Sequence, residues 1–132
     1  MIKGRILLGI AVLALGACGK KSVSVEEFEG PIDARVEFIA DGVNKIVPRG
    51  MGKGLKLVRA EAQGRVLVLA LETTLQGELD KSETALITLF RPQVCSNPGY
   101  RSVVDHGGLV RFRIARTKTG ETLPEFTIAA CG

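Results

Sequence analysis

The sequence predicts an α+β domain: an antiparallel four-stranded sheet packed by helices on one face and closed by one disulfide. Three observations lead there. Apolar residues recur at spacings of three and four in 32–47 and again in 80–90, the period of a helix with one buried face. Apolar and polar residues alternate in 109–116 and 123–130, the period of a half-buried strand. Strands come in two sequential pairs with the helical stretches grouped around them, a grouping that favours an antiparallel sheet with helices on one side.

The first element is a helix over 32–47. Ile32, Val36, Ile39, Ala40, Val43 and Val47 share one face, and Pro31 suits the first turn, where its missing N–H costs nothing. Gly42 weakens this helix by ~1 kcal/mol relative to alanine. Pro48-Arg49-Gly50 ends it, and Gly50 to Gly54 reads as a glycine-rich connector. Two strands follow, Leu55–Ala62 and Arg65–Thr73, with Gln63-Gly64 as the turn of a hairpin. The second strand runs Val66-Leu67-Val68-Leu69-Ala70-Leu71 with no polar alternation. Both faces of such a strand need cover, or one of them expects a partner. Val66, Leu67, Val68, Leu69 and Leu71 are therefore the candidate lining of a partner groove.

Asp80 to Phe90 reads as a second helix, with Asp80 as N-cap and Glu83 completing a capping box. Pro92 ends it. A third, short helix starts at Asn97, the cap, with Pro98 in the first helical position, and stops at Gly107-Gly108. The last two strands are Leu109–Arg116 and Leu123–Ala130. Val110, Phe112 and Ile114 face inward from one, and Phe126, Ile128 and Ala130 from the other. If Phe112 pairs with Phe126, Arg113 lies opposite Glu125 on the outer face. The order is helix, strand, strand, helix, helix, strand, strand.

The N-terminus predicts export and anchoring. Lys3 and Arg5 precede an apolar run from Ile6 to Leu15. That run is too short to span a bilayer, which takes ~20 apolar residues, but it has the length of a signal-peptide core. It ends Leu15-Gly16-Ala17-Cys18, which looks like the lipobox of bacterial lipoproteins. The resemblance implies cleavage before Cys18 and acylation of its thiol, palmitate included. Residues 1–17 are then a lipoprotein signal peptide, 18–31 a lipidated tether, and 32–132 a single domain. The formal charge of +4 falls to about +2 once Lys3 and Arg5 are removed. No arginine and lysine stripe is interleaved with aromatics, which argues against a nucleic-acid partner. Gly19, rather than Asp, follows Cys18; by resemblance to enterobacterial-type sorting, this favours the outer membrane, with the domain facing the periplasm. In an exported chain the even pair Cys95 and Cys131 is expected as a disulfide.

Few residues suggest chemistry. His106, the only histidine, sits beside Asp105 before Gly107-Gly108, where it suits a helix C-terminus. Gly50 to Gly54 lacks the spacing of a phosphate-binding loop. Arg91, Arg101, Arg111, Arg113 and Arg116 read as a solvated face. No nucleophile elbow, CxxC or zinc spacing is present. The expectation is a protein that is not an enzyme and carries no cofactor or metal.

The stretch Asp80 to Gly132 resembles the β-type pilotin lipoproteins of type II secretion systems. A helix leads into Cys95-Ser96-Asn97-Pro98, then a second helix, then a hairpin closed by Cys131-Gly132. The resemblance covers about 50 residues well and the two preceding strands more loosely. It implies a chain that binds the C-terminal segment of a secretin subunit, rides the lipoprotein sorting machinery, and brings the secretin to the outer membrane. The implied recognition is an amphipathic helix laid into an apolar groove. The alternative is a structural or inhibitory periplasmic lipoprotein that caps another envelope complex.

Overall fold

The computed structural model describes residues 28–52, 54–74 and 82–131. The expected signal peptide, residues 1–17, and residues 18–27 of the expected tether, Cys18 among them, lie outside these. Helix α1 covers Ile32–Asn44 and buries Val36, Ile39, Ala40 and Val43, the predicted face. Pro31 stands at the N-cap, one residue before the position expected, and its carbonyl accepts the Arg35 N–H at 3.0 Å. The helix stops at Asn44, three residues short of the prediction. Pro48 disfavours helical backbone in the residue before it. Asn44 also finds a different partner: its amide donates to the Ala60 carbonyl and its Oδ1 accepts the Ala60 N–H, both at 2.9 Å.

Strand β1, Arg49–Gly52, is a correction. This stretch was expected to be a connector; it pairs with β2, Leu55–Gln63, through Arg49↔Leu57, Gly50↔Lys56 and, past a bulge, Gly52↔Leu55. The glycines are needed for the tight return, since Gly52 and Gly54 have φ of +82° and +77°. Because β1 reaches only to Leu57, the next part of the β2 edge is taken by Asn44. Strand β3, Val66–Thr73, completes the hairpin with β2, paired from Gln63↔Val66 to Leu55↔Thr73 with a register shift between Leu57 and Arg59.

Helix α2 spans Glu83–Ser96 and α3 spans Pro98–Asp105. Two expectations for α2 fail. Its N-cap is Ser82, whose hydroxyl accepts the Ala85 N–H at 3.1 Å; Asp80, the expected cap, lies outside the described residues. Pro92 does not end it. Proline removes one hydrogen bond from a helix interior, but the turn beyond is held by Val94, fully buried, and by Cys95, disulfide-bonded to Cys131. Helix α3 begins as predicted, the Asn97 side chain accepting the Tyr100 N–H. It ends in a Schellman motif: Gly108 N–H donates to the Val103 carbonyl and Gly107 N–H to that of Val104. A Cβ on Gly108 would sit 2.6 Å from Val103 Cγ1 and 2.8 Å from the Arg65 carbonyl, so only glycine fits there.

Strands β4, Leu109–Arg116, and β5, Phe126–Ile128, close a five-stranded sheet in the order β1-β2-β3-β4-β5. The sheet is mixed, not the four-stranded antiparallel one expected. β3 and β4 run parallel, from Val66↔Leu109 to Thr73↔Arg116. The two predicted hairpin units meet side by side, and the chain between them crosses one face through α2 and α3. A return of that kind re-enters the sheet in the same direction. β5 is shorter than predicted, and Ala130 is exposed rather than inward-facing. The predicted Phe112↔Phe126 pairing is present, with Arg113 donating to Glu125 at 2.8 Å.

The helices lie on one face of the sheet: α1 on β2 and β3, α2 on β5, α3 against β4 and α1. Phe90 from α2, Phe112 from β4 and Phe126 from β5 meet beneath them, ring centroids 5.0–5.2 Å apart. Among the described residues, no helix lies on the opposite face. That face is covered by a charge lattice in which Glu61 meets Arg59 and Arg113, and Arg113 meets Glu125.

Candidate functional site

The strand read as a groove lining is core. Leu67, Leu69 and Leu71 project under the helices and are at most 2 % exposed. Val68 points to the open face yet is also buried. Its register neighbours there are Glu61 and Arg111, whose aliphatic stems shield apolar surface while their charges reach water. Val66 is half-buried at the hairpin turn. Both faces of β3 are thus satisfied within the domain, one by helices and one by charged side chains of the neighbouring strands.

An accessible apolar surface lies elsewhere, around the C-terminal half of α1. Ile46, one residue past the α1 C-cap, is 50 % exposed. It stands between two neighbouring cavities. One, of about 520 Å³, runs between α1 and the start of α3, with Phe38, Ile39, Gly42, Val43 and Tyr100 on its walls. The other, of about 450 Å³, runs toward the β1 edge, bounded by Met51, Leu57, Pro98 and Tyr100. Ile46, Asn97 and Tyr100 belong to both, so the two form one bent groove with a ridge across it. Burial raises the Tyr100 phenol above its ordinary pKa, with the positive charge of Arg49 opposing the shift; the ring is a neutral part of the wall. The cations at the rim are Lys45 and Arg49, and the anion is Asp41.

Sequence reasoning missed this groove. Ile46 follows Val43 at a spacing of three and extends the apolar stripe past the helix end, but a lone exposed apolar residue is common and carries little signal.

A third cavity, of about 430 Å³, lies between α1 and the α2–α3 junction. It is bounded by Arg35, Cys95, Arg101, Ser102, Asp105 and His106. Its groups are engaged with one another. The Arg35 guanidinium donates to the Ser102 hydroxyl and, at 3.1 Å, to the Phe28 carbonyl. Arg101 donates to Asp105 and to the Cys95 carbonyl, both at 3.3 Å. His106 Nδ1 lies 2.7 Å from the Ser102 carbonyl, an end-of-helix contact that a protonated Nδ1 makes by donating. The remaining arginines do not gather here. Arg111 donates to the Thr127 hydroxyl, and Arg116 pairs with Glu121. Among the described residues no three His, Cys, Asp or Glu side chains come together as metal ligands. No described helix is long and apolar enough to cross a membrane. A disulfide holds α2 to the segment after β5.

No protein-family model matches the chain, and no curated protein matches it. Solved structures do. The pilotin EpsS of the Vibrio vulnificus type 2 secretion system superposes with a TM-score of 0.63 at 16 % identity, over 76 % of this chain and 92 % of that one. The type II secretion pilotin AspS of Vibrio cholerae does so at 0.61 and 20 %, over 74 % and 87 %. The chain has the pilotin fold. A Pseudomonas aeruginosa protein solved as a candidate secreted protein shares it, with a TM-score of 0.62 at 18 % identity, over 75 % and 89 %. At these identities the likeness is one of fold. Each pilotin is matched over nearly its whole length.

Proposed function

We propose that this chain is an outer-membrane-sorted lipoprotein that binds a secretin subunit and pilots its targeting and assembly for type II protein secretion. The observation that carries the reading is the pilotin fold, matched over 92 % and 87 % of two type II secretion pilotins. The groove at Ile46 and Tyr100 is where an amphipathic helix from the secretin C-terminal segment would lie, with apolar side chains on either side of the ridge.

Two experiments test it. Calorimetry of the full chain in detergent with C-terminal secretin peptides from the same organism is expected to show micromolar or tighter binding. Ile46→Asp should weaken it by about tenfold or more, since a charge would be buried in an apolar contact. Absence of binding, together with unchanged secretin location after gene deletion, would sink the proposal.

Anchoring is tested separately. Cys18→Ser is expected to leave an uncleaved or soluble form that takes up no labelled palmitate. Acylated protein in the outer-membrane fraction after that change would exclude the lipobox reading.

A further inference from the structure

Phe28 is the only aromatic residue between Cys18 and α1, and the chain folds it back onto the helix. Its ring stacks on Phe38, with centroids 5.0 Å and planes 25° apart. The Arg35 guanidinium lies 5.3 Å from the centre of the same ring and donates to the Phe28 carbonyl at 3.1 Å. Arg35 and Phe38 are three apart on α1, so they share one side of the helix, where a single ring can meet both. The turn that allows this is Glu29-Gly30-Pro31. A Cβ on Gly30 would stand 3.2 Å from Phe28 Cε2 and 3.3 Å from Cζ, closer than side chains usually pack. The returning ring thus takes the space that a side chain at position 30 would need.

These contacts reach into the domain. Arg35 is 6 % exposed and donates at the same time to the Ser102 hydroxyl, so one guanidinium joins residue 28, α1 and α3. A buried guanidinium needs its donors engaged, and the Phe28 carbonyl engages one of them. The aromatic pair and the cation over the ring face both add to what burial of the ring supplies. Phe38 belongs to two places at once: it packs against the core, and it stands on the wall of the larger apolar cavity. A residue of the expected tether is therefore seated directly beside the groove.

We infer that Phe28 is a clip that fastens the tether to the domain, its ring held against Phe38 and Arg35 and its carbonyl held by Arg35. The folded unit then begins at Phe28, and the tether joins it on the flank of α1, beside the groove wall, instead of at the tip of the helix. With Cys18 acylated, residues 18–27 are the length of chain between lipid and clip. Those ten residues span at most ~36 Å at ~3.6 Å each. Without the clip the length runs to Pro31, fourteen residues and at most ~50 Å. The clip thereby bounds how far from the bilayer a groove occupant is held. The attachment itself depends on neither the groove nor the lipid; only the reach rests on the acylation of Cys18, which Cys18→Ser tests separately.

The chain contains no tryptophan, so Phe28→Trp, made in the full chain in detergent, places a single indole at the clip. Indole keeps the stacking and favours the cation contact. Its emission is expected to be blue-shifted from that of indole in water, and acrylamide should quench it several-fold more slowly. Its anisotropy should decay with the tumbling of the whole particle and not by the faster local motion of an unattached chain end. Adding Gly30→Val, whose side chain competes with the ring for space, should shift the emission to the red and raise the quenching rate several-fold. Adding Phe38→Ala should do the same, and adding Leu89→Ala should do neither. Phe38 also packs against the core, so its variant is read beside a circular dichroism melt. Gly30 is exposed and outside the core, so Gly30→Val should melt as a folded domain and decides the matter alone. Rapid quenching of the indole in Phe28→Trp, or unchanged emission and quenching after Gly30→Val, overturns the clip.

Discussion

Phe90→Ala is expected to lower the unfolding free energy by about 3–5 kcal/mol, while Leu89→Ala, one residue earlier on the same helix, should change it by less than about 0.5 kcal/mol. Phe90 is 1 % exposed and touches both other rings of the cluster, Phe112 at 5.0 Å and Phe126 at 5.2 Å; Leu89 is 47 % exposed. Removing the Phe90 ring leaves a cavity at the one point where α2, β4 and β5 meet. Those elements come from different parts of the chain and cannot easily collapse into the space. For a domain whose net stability is of order 5–15 kcal/mol, that loss is a large share. Urea unfolding followed by circular dichroism would measure it as a lower midpoint at unchanged slope. Near-equal midpoints for the two variants would mean that the aromatic cluster does not organise the core.

The second large effect concerns the staple. Cys95 and Cys131 are bonded across a sequence separation of 36. In the chain-entropy view a loop of that size stabilises by roughly 4 kcal/mol. Cys95→Ala/Cys131→Ala is therefore expected to lose about 2–5 kcal/mol without altering the groove, whose walls hold neither cysteine. Reductant should lower the melting temperature of the natural chain to near that of the double variant, and should leave the variant unchanged. Labelling of both thiols in unreduced protein would contradict the bond. The bond ties the end of α2, past Pro92, to the segment after β5, and so braces the part of the helix that proline weakens.

Much of the fold was legible because it is encoded locally. The face of α1, the Asn97-Pro98 start of α3, the glycine stop at 107–108 and the inward set Val110, Phe112 and Ile114 all follow from spacing and capping. The misses are non-local. That β3 and β4 lie side by side depends on where two helices carry the chain, which no alternation within either strand records. β1 is strand only because β2 offers it an edge; alone, Arg49-Gly50-Met51-Gly52 has the composition of a loop. The groove failed for a related reason. An apolar run such as Val66 to Leu71 states that both faces need cover but not by what, and here Glu61 and Arg111 cover Val68. Ile46 and Gly42, which shape the accessible groove, are single residues whose meaning appears only when α3 is set beside them.

The parallel contact between β3 and β4 has a further consequence, in the order of assembly. In a chain presented N-terminus first, α1 and the β1–β2–β3 ribbon can form from contacts close in sequence. The β4 side of β3 must wait for some 35 intervening residues, and pairings across such separations form slowly because the loop entropy is lost before any contact offsets it. Until then β3 is a terminal strand, apolar on both sides, with its backbone donors and acceptors open. That is the arrangement most prone to pairing with another molecule. The interval between the appearance of Val66 and of Leu109 is when this chain is most exposed to aggregation, and substitutions that delay α2 or α3 should lower its yield more than its final stability.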